Sequence, residues 1–403
     1  MKVKAGLLLD LGNSESRVRL VSGKHVYHFN LKNQFAELPE GYKLASKFTK
    51  GNSTIFVSKG QYIANGAIVE REFSSTFTRP TSVERKSEQI VTQFSISLAF
   101  IKSLELLSKV YNVPVSTLEV SFDVGVLLPP LEHTASEEKM IAFIREINHV
   151  QSYVPEFEKD IHIGKVIVHP EAVAAFFGAY FREDNMKELS ENAGKDIYKG
   201  DILVYDNSEG VVLAEVEENT KFGSGYTLIL DIGAGTTDIA MFRDMDLVEN
   251  SKDTHNIGGN KVRSLVAQAI REHFSFTPSN ESMVLVMHEG ILEEGAEYHD
   301  VSQLVTSAKR KYALEMKEFI LQYLERLSIS LRNVKGLLVV GGGSKPTIRT
   351  LDESYEQVSP AMSEILSDYL VSIAPKLEVV STEGKDLRHL NIDGLTYMYK
   401  YQD

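Results

Sequence analysis

Residues 7–21 read Leu7-Leu8-Leu9-Asp10-Leu11-Gly12-Asn13-Ser14-Glu15-Ser16-Arg17-Val18-Arg19-Leu20-Val21, and residues 228–242 repeat the pattern as Leu228-Ile229-Leu230-Asp231-Ile232-Gly233-Ala234-Gly235-Thr236-Thr237-Asp238-Ile239-Ala240-Met241-Phe242. Each copy predicts a buried strand that ends in Asp, a Gly-rich polar turn and a second strand. One Asp-X-Gly turn is common hairpin chemistry. Two copies in the same frame instead indicate a duplicated clamp for nucleotide phosphates, formed by two hairpins that face each other.

The residues of the two turns suit a phosphate chain bound with magnesium. Glycine lets backbone amides approach phosphate oxygens. The candidate phosphate contacts in the two turns are Gly12, Asn13, Ser14, Gly233, Ala234, Gly235 and Thr236. Asp10 and Asp231 are predicted to hold Mg²⁺, through water, because magnesium prefers carboxylate and phosphate oxygens and keeps part of its hydration shell. Arg17 could neutralise a phosphate oxygen or be an exposed strand residue. The sequence has no G-x-x-x-x-G-K-[ST] motif, which excludes a P-loop enzyme.

Glu171 is the best catalytic candidate. It follows a predicted strand over residues 165–168 and begins a predicted helix over 171–181, with Pro170 in its first turn. A carboxylate at this position could orient or deprotonate a water molecule for in-line attack on a γ-phosphate. The alternative is a first-turn Glu that complements the helix dipole.

Two further features are candidate contacts for the nucleoside. Gly341-Gly342-Gly343 follows a predicted strand over 335–340, and a glycine loop there would let a base or ribose lie against the backbone. Lys309 and Arg310, in a predicted helix over 301–330, could bracket the base. The alternatives are a plain loop and a solvated charged face.

Composition limits the classes of function. The chain has 403 residues, of which 43% are hydrophobic and 25% charged, with a net charge of −13 and no cysteine. This acidity argues against direct nucleic-acid binding, and the lack of cysteine excludes disulfides and thiol catalysis. We find no apolar run of the roughly 18 residues that a membrane span needs and no signal peptide, so we expect a cytoplasmic protein without a membrane partner.

The remaining pattern predicts an α/β architecture of two similar domains. A long amphipathic helix is expected over residues 87–111, a central strand over 118–128 stopped by Pro129-Pro130, and a helix over 136–147. The stretch 274–298 reads as an irregular, acidic subdomain, and 182–225 as a surface insertion that contains short strands over 202–205 and 211–216.

The ordered set of motifs resembles the actin-like ATPase superfamily. The set comprises a first phosphate loop (residues 10–17), Pro170-Glu171-Ala172, a second phosphate loop (231–238) and an adenosine loop, Gly341-Gly342-Gly343, after a strand. The ending Leu390-Asn391-Ile392-Asp393-Gly394-Leu395 and the compact length are most similar to plasmid-segregation ATPases of the ParM and Alp type. Leu11 and the Gly12-Asn13-Ser14 turn depart from the commonest loop of that branch.

The resemblance implies a duplicated, ribonuclease H-like, actin-like two-domain fold with a nucleotide cleft between the lobes. Domain I would span residues 1–169, with a small insertion over about 33–78. Domain II would span 170–403, with an insertion over about 274–298 and a C-terminal segment that is a candidate to return to domain I. Asp10 and Asp231 would be the magnesium-side carboxylates, Glu171 would position the water molecule, and Gly341, Gly342 and Gly343 would line the adenosine.

The resemblance also implies a function. We expect a Mg²⁺-dependent ATPase that polymerises with itself into dynamic filaments, with hydrolysis destabilising the filament. The filaments would segregate plasmid or similar DNA through a DNA-binding adaptor at a centromere-like site, without direct contact to nucleic acid. The alternatives on the same fold are a small-molecule kinase and a non-polymerising regulatory ATPase. The sequence does not decide between ATP and GTP, nor does it give the polarity of the filament.

Overall fold

The computed structural model describes residues 1–12, 15–23, 25–39, 53–73, 76–78, 85–180, 211–212, 224–295, 297–351, 354–381 and 390–401. The chain divides into two compact units. Unit 1 contains Met1–Glu218 and Asn391–Asp403, and unit 2 contains Asn219–Leu390. The domain ranges expected from the sequence, with a change of domain after residue 169, stay a prediction.

Unit 1 is built around a mixed sheet. Its elements follow in chain order: β1 (Lys2–Leu11), β2 (Glu15–Ser22), β3 (His25–Lys32), β4 (Phe35–Glu37), β5 (Ser53–Ser58), β6 (Gln61–Gly66), α1 (Ala67–Glu72), α2 (Ile90–Tyr111), β7 (Glu119–Leu128), α3 (Pro130–Arg145), β8 (His149–Val154), β9 (Glu156–Asp160), β10 (His162–Pro170), α4 (Glu171–Tyr180) and β11 (Val211–Val212). The central sheet has the order β10-β7-β1-β2-β3-β11, and a second sheet has the order β4-β6-β5-β8-β9.

The register of the central sheet places the functional turns at one edge. β1 pairs with β2 as an antiparallel hairpin and with β7 in parallel, and β10 pairs with β7 in parallel. β1 is buried along almost its whole length, as expected for a central strand covered on both faces. Because β1 and β10 run in the same direction, the turn after Leu11 and the start of α4 lie at the same edge of the sheet.

Helix α2 is the main core helix of unit 1. The sequence predicted an amphipathic helix from residue 87, whereas the structure begins it at Ile90 and buries it around most of its circumference. Its length and composition would also suit a membrane span, which corrects the expectation that no such run exists. However, 78% of its most apolar 18-residue window is buried inside the protein, as in the core helix of a folded domain.

Unit 2 repeats the arrangement of the central sheet. Its elements follow in chain order: β12 (Tyr226–Ile232), β13 (Thr237–Arg243), β14 (Asp246–Leu247), β15 (Asp253–His255), α5 (Asn260–Phe274), α6 (Asn280–Glu289), β16 (Ile291–Glu294), β17 (Glu297–Asp300), α7 (Ser302–Arg326), β18 (Val334–Val340), β19 (Thr347–Leu351), β20 (Ser354–Ser359), α8 (Met362–Leu370) and β21 (Glu378–Val380). Its sheet has the order β14-β13-β12-β18-β21. As in unit 1, an antiparallel hairpin is followed in the sheet by a strand parallel to its first member.

The last helix, α9 (Leu390–Tyr401), begins at the end of unit 2 and lies mainly in unit 1. It packs closely against α4, because a Cβ at Gly394 would overlap the carbonyl oxygen of Ala174. Arg19 of β2 is buried and donates from an NH2 group to Asp393 of α9. A glycine contact and a buried ion pair therefore hold α9 in unit 1.

Several predicted elements need correction. Helix α3 starts at Pro130, six residues before the predicted start, because proline fits the first turn of a helix, where its missing N–H is not needed. Pro170 ends β10, and α4 begins at Glu171.

The stretch 274–298 is regular rather than irregular. It contains α6, whose N-cap Ser279 accepts a hydrogen bond from the Ser282 amide, then β16 and the start of β17, which pair as a hairpin. The predicted strand over 211–216 is described only at Val211–Val212, and the strand predicted over 202–205 lies outside the described residues.

Candidate functional site

The first phosphate hairpin turns sharply after β1. A Cβ at Gly12 would overlap the carbonyl oxygen of Glu15, so the turn accepts only glycine without a shift of the backbone. The predicted phosphate contacts Asn13 and Ser14 lie outside the described residues and stay predictions.

Asp10 and Arg17 lie opposite each other on this hairpin. They form a cross-strand pair in the register, and Arg17 NH1 lies 2.9 Å from Asp10 Oδ2. The side chains are only 5% and 18% exposed for Asp10 and Arg17, respectively. The pair therefore brings the predicted metal carboxylate and the predicted phosphate-neutralising cation together, and it excludes the exposed-strand alternative for Arg17.

Asn33, the residue after β3, fixes the first phosphate hairpin. It was not predicted from the sequence. Its Nδ2 donates to the Gly12 carbonyl oxygen and to Ser16 Oγ (2.7 Å), and its Oδ1 accepts a hydrogen bond from Ser95 Oγ of α2 (2.9 Å). Asn33 is 1% exposed. A buried amide that bonds the turn, a strand and the core helix holds the loop in one conformation. Its only signal in the sequence is an Asn at the end of a strand.

Glu171 begins α4 and is paired with a lysine that the sequence analysis also missed. Lys86 Nζ donates to Glu171 Oε1, and each side chain is 13% exposed. The pair lies in unit 1, and the charge of Asp10 acts on both of its members. The structure therefore brings the predicted water-positioning carboxylate into the same group of charges as the first phosphate hairpin.

The environment changes the titration of both groups. Burial raises the pKa of the Glu171 carboxyl, and the negative charges of Asp10 and Glu132 raise it further, whereas Lys86 opposes the shift. Burial alone would lower the pKa of Lys86, but the three carboxylates around it outweigh burial and raise that pKa. A carboxylate whose pKa is raised by burial is suited to act as a general base.

The second phosphate hairpin, in unit 2, repeats the first. A Cβ at Gly233 would lie 3.2 Å from the carbonyl oxygen of Thr236, so this glycine occupies the same tight position as Gly12. Asp231 is 5% exposed, at the end of β12. Ala234 is exposed and Gly235 is half-buried, so the turn presents its backbone at the surface of unit 2.

Polar contacts fix the strand that leaves this turn. Thr237 Oγ1 donates to the Ile257 carbonyl oxygen at 2.8 Å and lies 2.7 Å from the Tyr312 hydroxyl of α7. Asp238 is 2% exposed and accepts a hydrogen bond from Thr254 Oγ1 at 2.6 Å. In the register, Asp238 stands opposite Asp231, where the first hairpin has Arg17 opposite Asp10.

Three further glycines pack closely against the second phosphate hairpin. Gly341 has φ 88°, and a Cβ there would overlap Asp231 Oδ1 and the Ile232 carbonyl oxygen. A Cβ at Gly343 would lie 2.6 Å from Ile232 Cγ2, and one at Gly258 would lie 2.6 Å from the Gly233 carbonyl oxygen. Gly342 has open space around its Cβ position. The predicted adenosine loop is thus in contact with the second phosphate hairpin, and Gly258 is a glycine of this group that the sequence analysis did not assign to the site.

Lys309 and Arg310 are neighbours in sequence, but Lys309 is buried and Arg310 is exposed. Lys309 is 4% exposed, and its Nζ donates to the carbonyl oxygens of Lys345 and Pro360 and to Thr347 Oγ1 at 3.0–3.2 Å. Burial lowers its pKa to about 8. Because these three acceptors use all three donors of the ammonium, the geometry argues against the predicted base contact and for a structural role. Arg310 is exposed on α7.

The chemistry of the two hairpins suits a magnesium–nucleotide complex. Each unit supplies one buried carboxylate beside a turn whose glycine leaves little or no room for a Cβ. Within the described residues no three His, Cys, Asp or Glu side chains could together hold a metal ion. Magnesium suits either carboxylate, because it is commonly held by one or two carboxylates together with substrate phosphates and water.

Known structures give the same architecture over the whole chain. An archaeal actin homolog, Ta0583, superposes with a TM-score of 0.64 at 15% identity, covering 99% of this chain and 100% of that one. The actin-like fold is therefore the fold of this chain. The Bacillus thuringiensis ParM solved with ATP gives a TM-score of 0.56 at 15% identity over 100% and 99% of the two chains. The structure of the Alp12 filament gives 0.54 at 14% identity over 99% of each chain.

Sequence comparison adds a family signal for one part of this actin-like chain. The model of the C-terminal domain of archaeal MreB-like actin homologues matches residues 229–353, which contain the second phosphate hairpin and the Gly341–Ser344 turn. No curated protein sequence is significantly similar to the chain. The structure thus contains the two hairpins predicted from the sequence, and its fold is the predicted actin-like fold.

Proposed function

We propose that this actin-like chain binds and hydrolyses Mg-ATP. The observation that carries the proposal is the repeat of one hairpin, with a buried carboxylate and a closely packed turn glycine in each unit. Solved structures with the same fold contain ATP or ADP, among them Bacillus thuringiensis ParM. In this proposal the two turns bind phosphate oxygens, and the loop Gly341-Gly342-Gly343 lies against the adenosine.

Four residues of the chain would have distinct roles in the proposed hydrolysis. Asp10 and Asp231 would hold Mg²⁺, which would neutralise charge on the phosphate oxygens. Arg17 would exchange part of its bond to Asp10 for a phosphate oxygen. Glu171 would orient the attacking water molecule and accept its proton, a task that its raised pKa favours.

We further propose that ATP-bound copies assemble head to tail into filaments in the cytoplasm and that hydrolysis destabilises them. The Alp12 protein of the same fold has been solved as a filament. A head-to-tail contact that does not close a ring produces an open helical polymer. ATP would promote assembly to the extent that it binds the assembling conformation more tightly than the other.

The proposed cargo is plasmid or similar DNA, bound through an adaptor protein. The net charge of −13 disfavours direct contact with a phosphate backbone. A basic, DNA-bound adaptor would be attracted to such an acidic filament.

Sedimentation and negative-stain microscopy at micromolar concentration test the assembly. Filaments should pellet with Mg-ATP and should be lost when EDTA removes the metal or when ADP replaces ATP. Turnover of ATP with all of the protein in the supernatant, at every concentration, would reject the filament and favour a kinase or a regulatory ATPase. No binding of ATP by calorimetry would reject the nucleotide site itself.

A further inference from the structure

The short segment before α2 is fastened to α3 by three contacts. Arg85 NH1 donates to Ser136 Oγ at 3.3 Å, the Ser87 amide donates to Glu132 Oε1 at 3.0 Å, and Glu88 Oε1 lies 3.1 Å from Lys139 Nζ. Residues 86–88 form a single 3₁₀ turn. The residues on both sides of Lys86 therefore contact one helix, Ser87 through its backbone amide and Arg85 and Glu88 through their side chains.

The side chain of Lys86 reaches α4. Its Nζ donates to Oε1 of Glu171, and both side chains are almost enclosed, at 13% exposure. Within the part of the chain that the structure describes, Oε2 of Glu171 makes no hydrogen bond to protein. One carboxylate oxygen is thus held by protein, and the other is available to a water molecule.

Burying such an ion pair has a cost. Both charges lose most of their hydration, and a buried pair is often no more stabilising than apolar side chains of the same size. The charges of carboxylates on three elements moreover act on Lys86, namely Asp10 of β1, Glu132 of α3 and Glu171 of α4. A lysine placed among the acids of the candidate site, on an anchored turn, indicates a role in that site rather than in stability alone.

We propose that Lys86 is a positioning residue for hydrolysis, which holds Oε1 of Glu171 so that Oε2 faces the attacking water molecule. This inference rests on the proposed ATPase function. Lys86 does not touch the nucleotide in this account, and it acts through Glu171. Its loss lets the carboxylate rotate, and a misplacement of about 1 Å in a catalytic group can cost about 10²-fold in rate.

The test compares steady-state ATP turnover of the wild type with Lys86→Met, Lys86→Arg, Glu171→Gln and the Lys86→Met/Glu171→Gln double variant. Lys86→Met should lower kcat by about 10- to 100-fold and leave the Kd for ATP within about threefold. Lys86→Arg keeps the charge and should recover most of the rate. In the Glu171→Gln background, Lys86→Met should change kcat by less than about threefold, because the group through which Lys86 acts is already gone.

Lys102→Met is the matched control. Lys102 forms an equally enclosed pair with Glu105 on α2, at 12% and 19% exposure and 3.0 Å, and its loss should leave kcat unchanged. Thermal unfolding of every variant separates loss of fold from loss of positioning.

Each outcome decides the proposal. If Lys86→Met lowers kcat equally in the wild type and in the Glu171→Gln variant, Lys86 has only a structural role. The same conclusion follows if kcat falls in proportion to the thermal midpoint in all variants. Wild-type turnover with an unaffected Lys86→Met variant would overturn the inference and leave the proposed function intact. A wild-type chain without any Mg-ATP turnover would overturn both.

Discussion

At the scale of single residues, the two phosphate hairpins keep the same frame but differ in charge. Asp10 and Asp231 end the first strands, and Gly12 and Gly233 make the turns. Opposite these carboxylates stand Arg17 in one hairpin and Asp238 in the other. The two hairpins therefore share the backbone of the turn, while the charge next to each carboxylate differs.

The first prediction concerns Glu171. Glu171→Gln keeps the size of the side chain and removes its basicity, so ATP turnover should fall by about 10²-fold or more, since a positioned general base contributes about 10²–10⁴-fold. Phosphate release at saturating Mg-ATP measures this, with ATP affinity measured in parallel. Glu105→Gln serves as the control, because Glu105 forms a comparable lysine pair on α2. Normal turnover in Glu171→Gln would remove Glu171 from the mechanism.

The second prediction concerns Asn33. Asn33→Ala leaves the Gly12 carbonyl oxygen and Ser16 Oγ without their amide partner. Each buried polar group left unpaired costs about 1–3 kcal/mol. We expect a lower free energy of unfolding and a weaker affinity for ATP, measured by chemical denaturation and by calorimetry. Unchanged ATP affinity with reduced stability would show that Asn33 supports the fold and not the phosphate turn.

The sequence predicted the site residues that belong to a repeated pattern or that interrupt an apolar strand with a polar side chain. Asp10, Gly12, Asp231 and Gly233 belong to a pattern that occurs twice. Lys86 and Asn33 gave no such signal, because their partners lie 85 and 21 residues away in the chain and only the folded sheet brings them together. Lys309 was misread for the same reason, since a cation on a helix does not reveal that three acceptors will enclose it.

At the scale of elements, strands were predicted more closely than helix ends and insertions. Apolar runs such as β1 and β12 carry their own signal, whereas α3 was placed too late because Pro129-Pro130 was read only as the end of a strand. The hairpin β19–β20 and the pair β8–β9 were not predicted at all, since short, largely exposed strands such as β9 and β20 have weak hydrophobic patterns.

The third prediction concerns the contact between α9 and α4. A Cβ at Gly394 would overlap the Ala174 carbonyl oxygen and lie 2.8 Å from the Gly178 amide. Gly394→Ala should therefore push α9 from its position and lower the free energy of unfolding by about 1–3 kcal/mol or more. Gly342→Ala is the control, because a Cβ there meets open space. Equal stability of the two variants, measured by chemical denaturation, would contradict the close packing of α9 on α4.

At the scale of the whole molecule, each unit carries its own sheet, core and phosphate hairpin. The central strands of the two sheets follow the same order, in which a hairpin is followed by a parallel strand. This duplication is what the sequence revealed first, through the spacing of two Asp-X-Gly turns. Surfaces for the proposed assembly could not be predicted, because no repeat or motif marks them and the identity with the compared filament structure is only 14%.

The fourth prediction concerns the lifetime of the proposed filament. Light scattering is followed over time after Mg-ATP is added at micromolar protein concentration, for the wild type and for Glu171→Ala. If hydrolysis limits the life of a filament, wild-type scattering should rise and then decay as phosphate is released. The Glu171→Ala signal should rise and persist. Scattering that stays flat while the wild type turns over ATP, or that decays equally in both proteins, would contradict a filament controlled by Glu171-dependent hydrolysis.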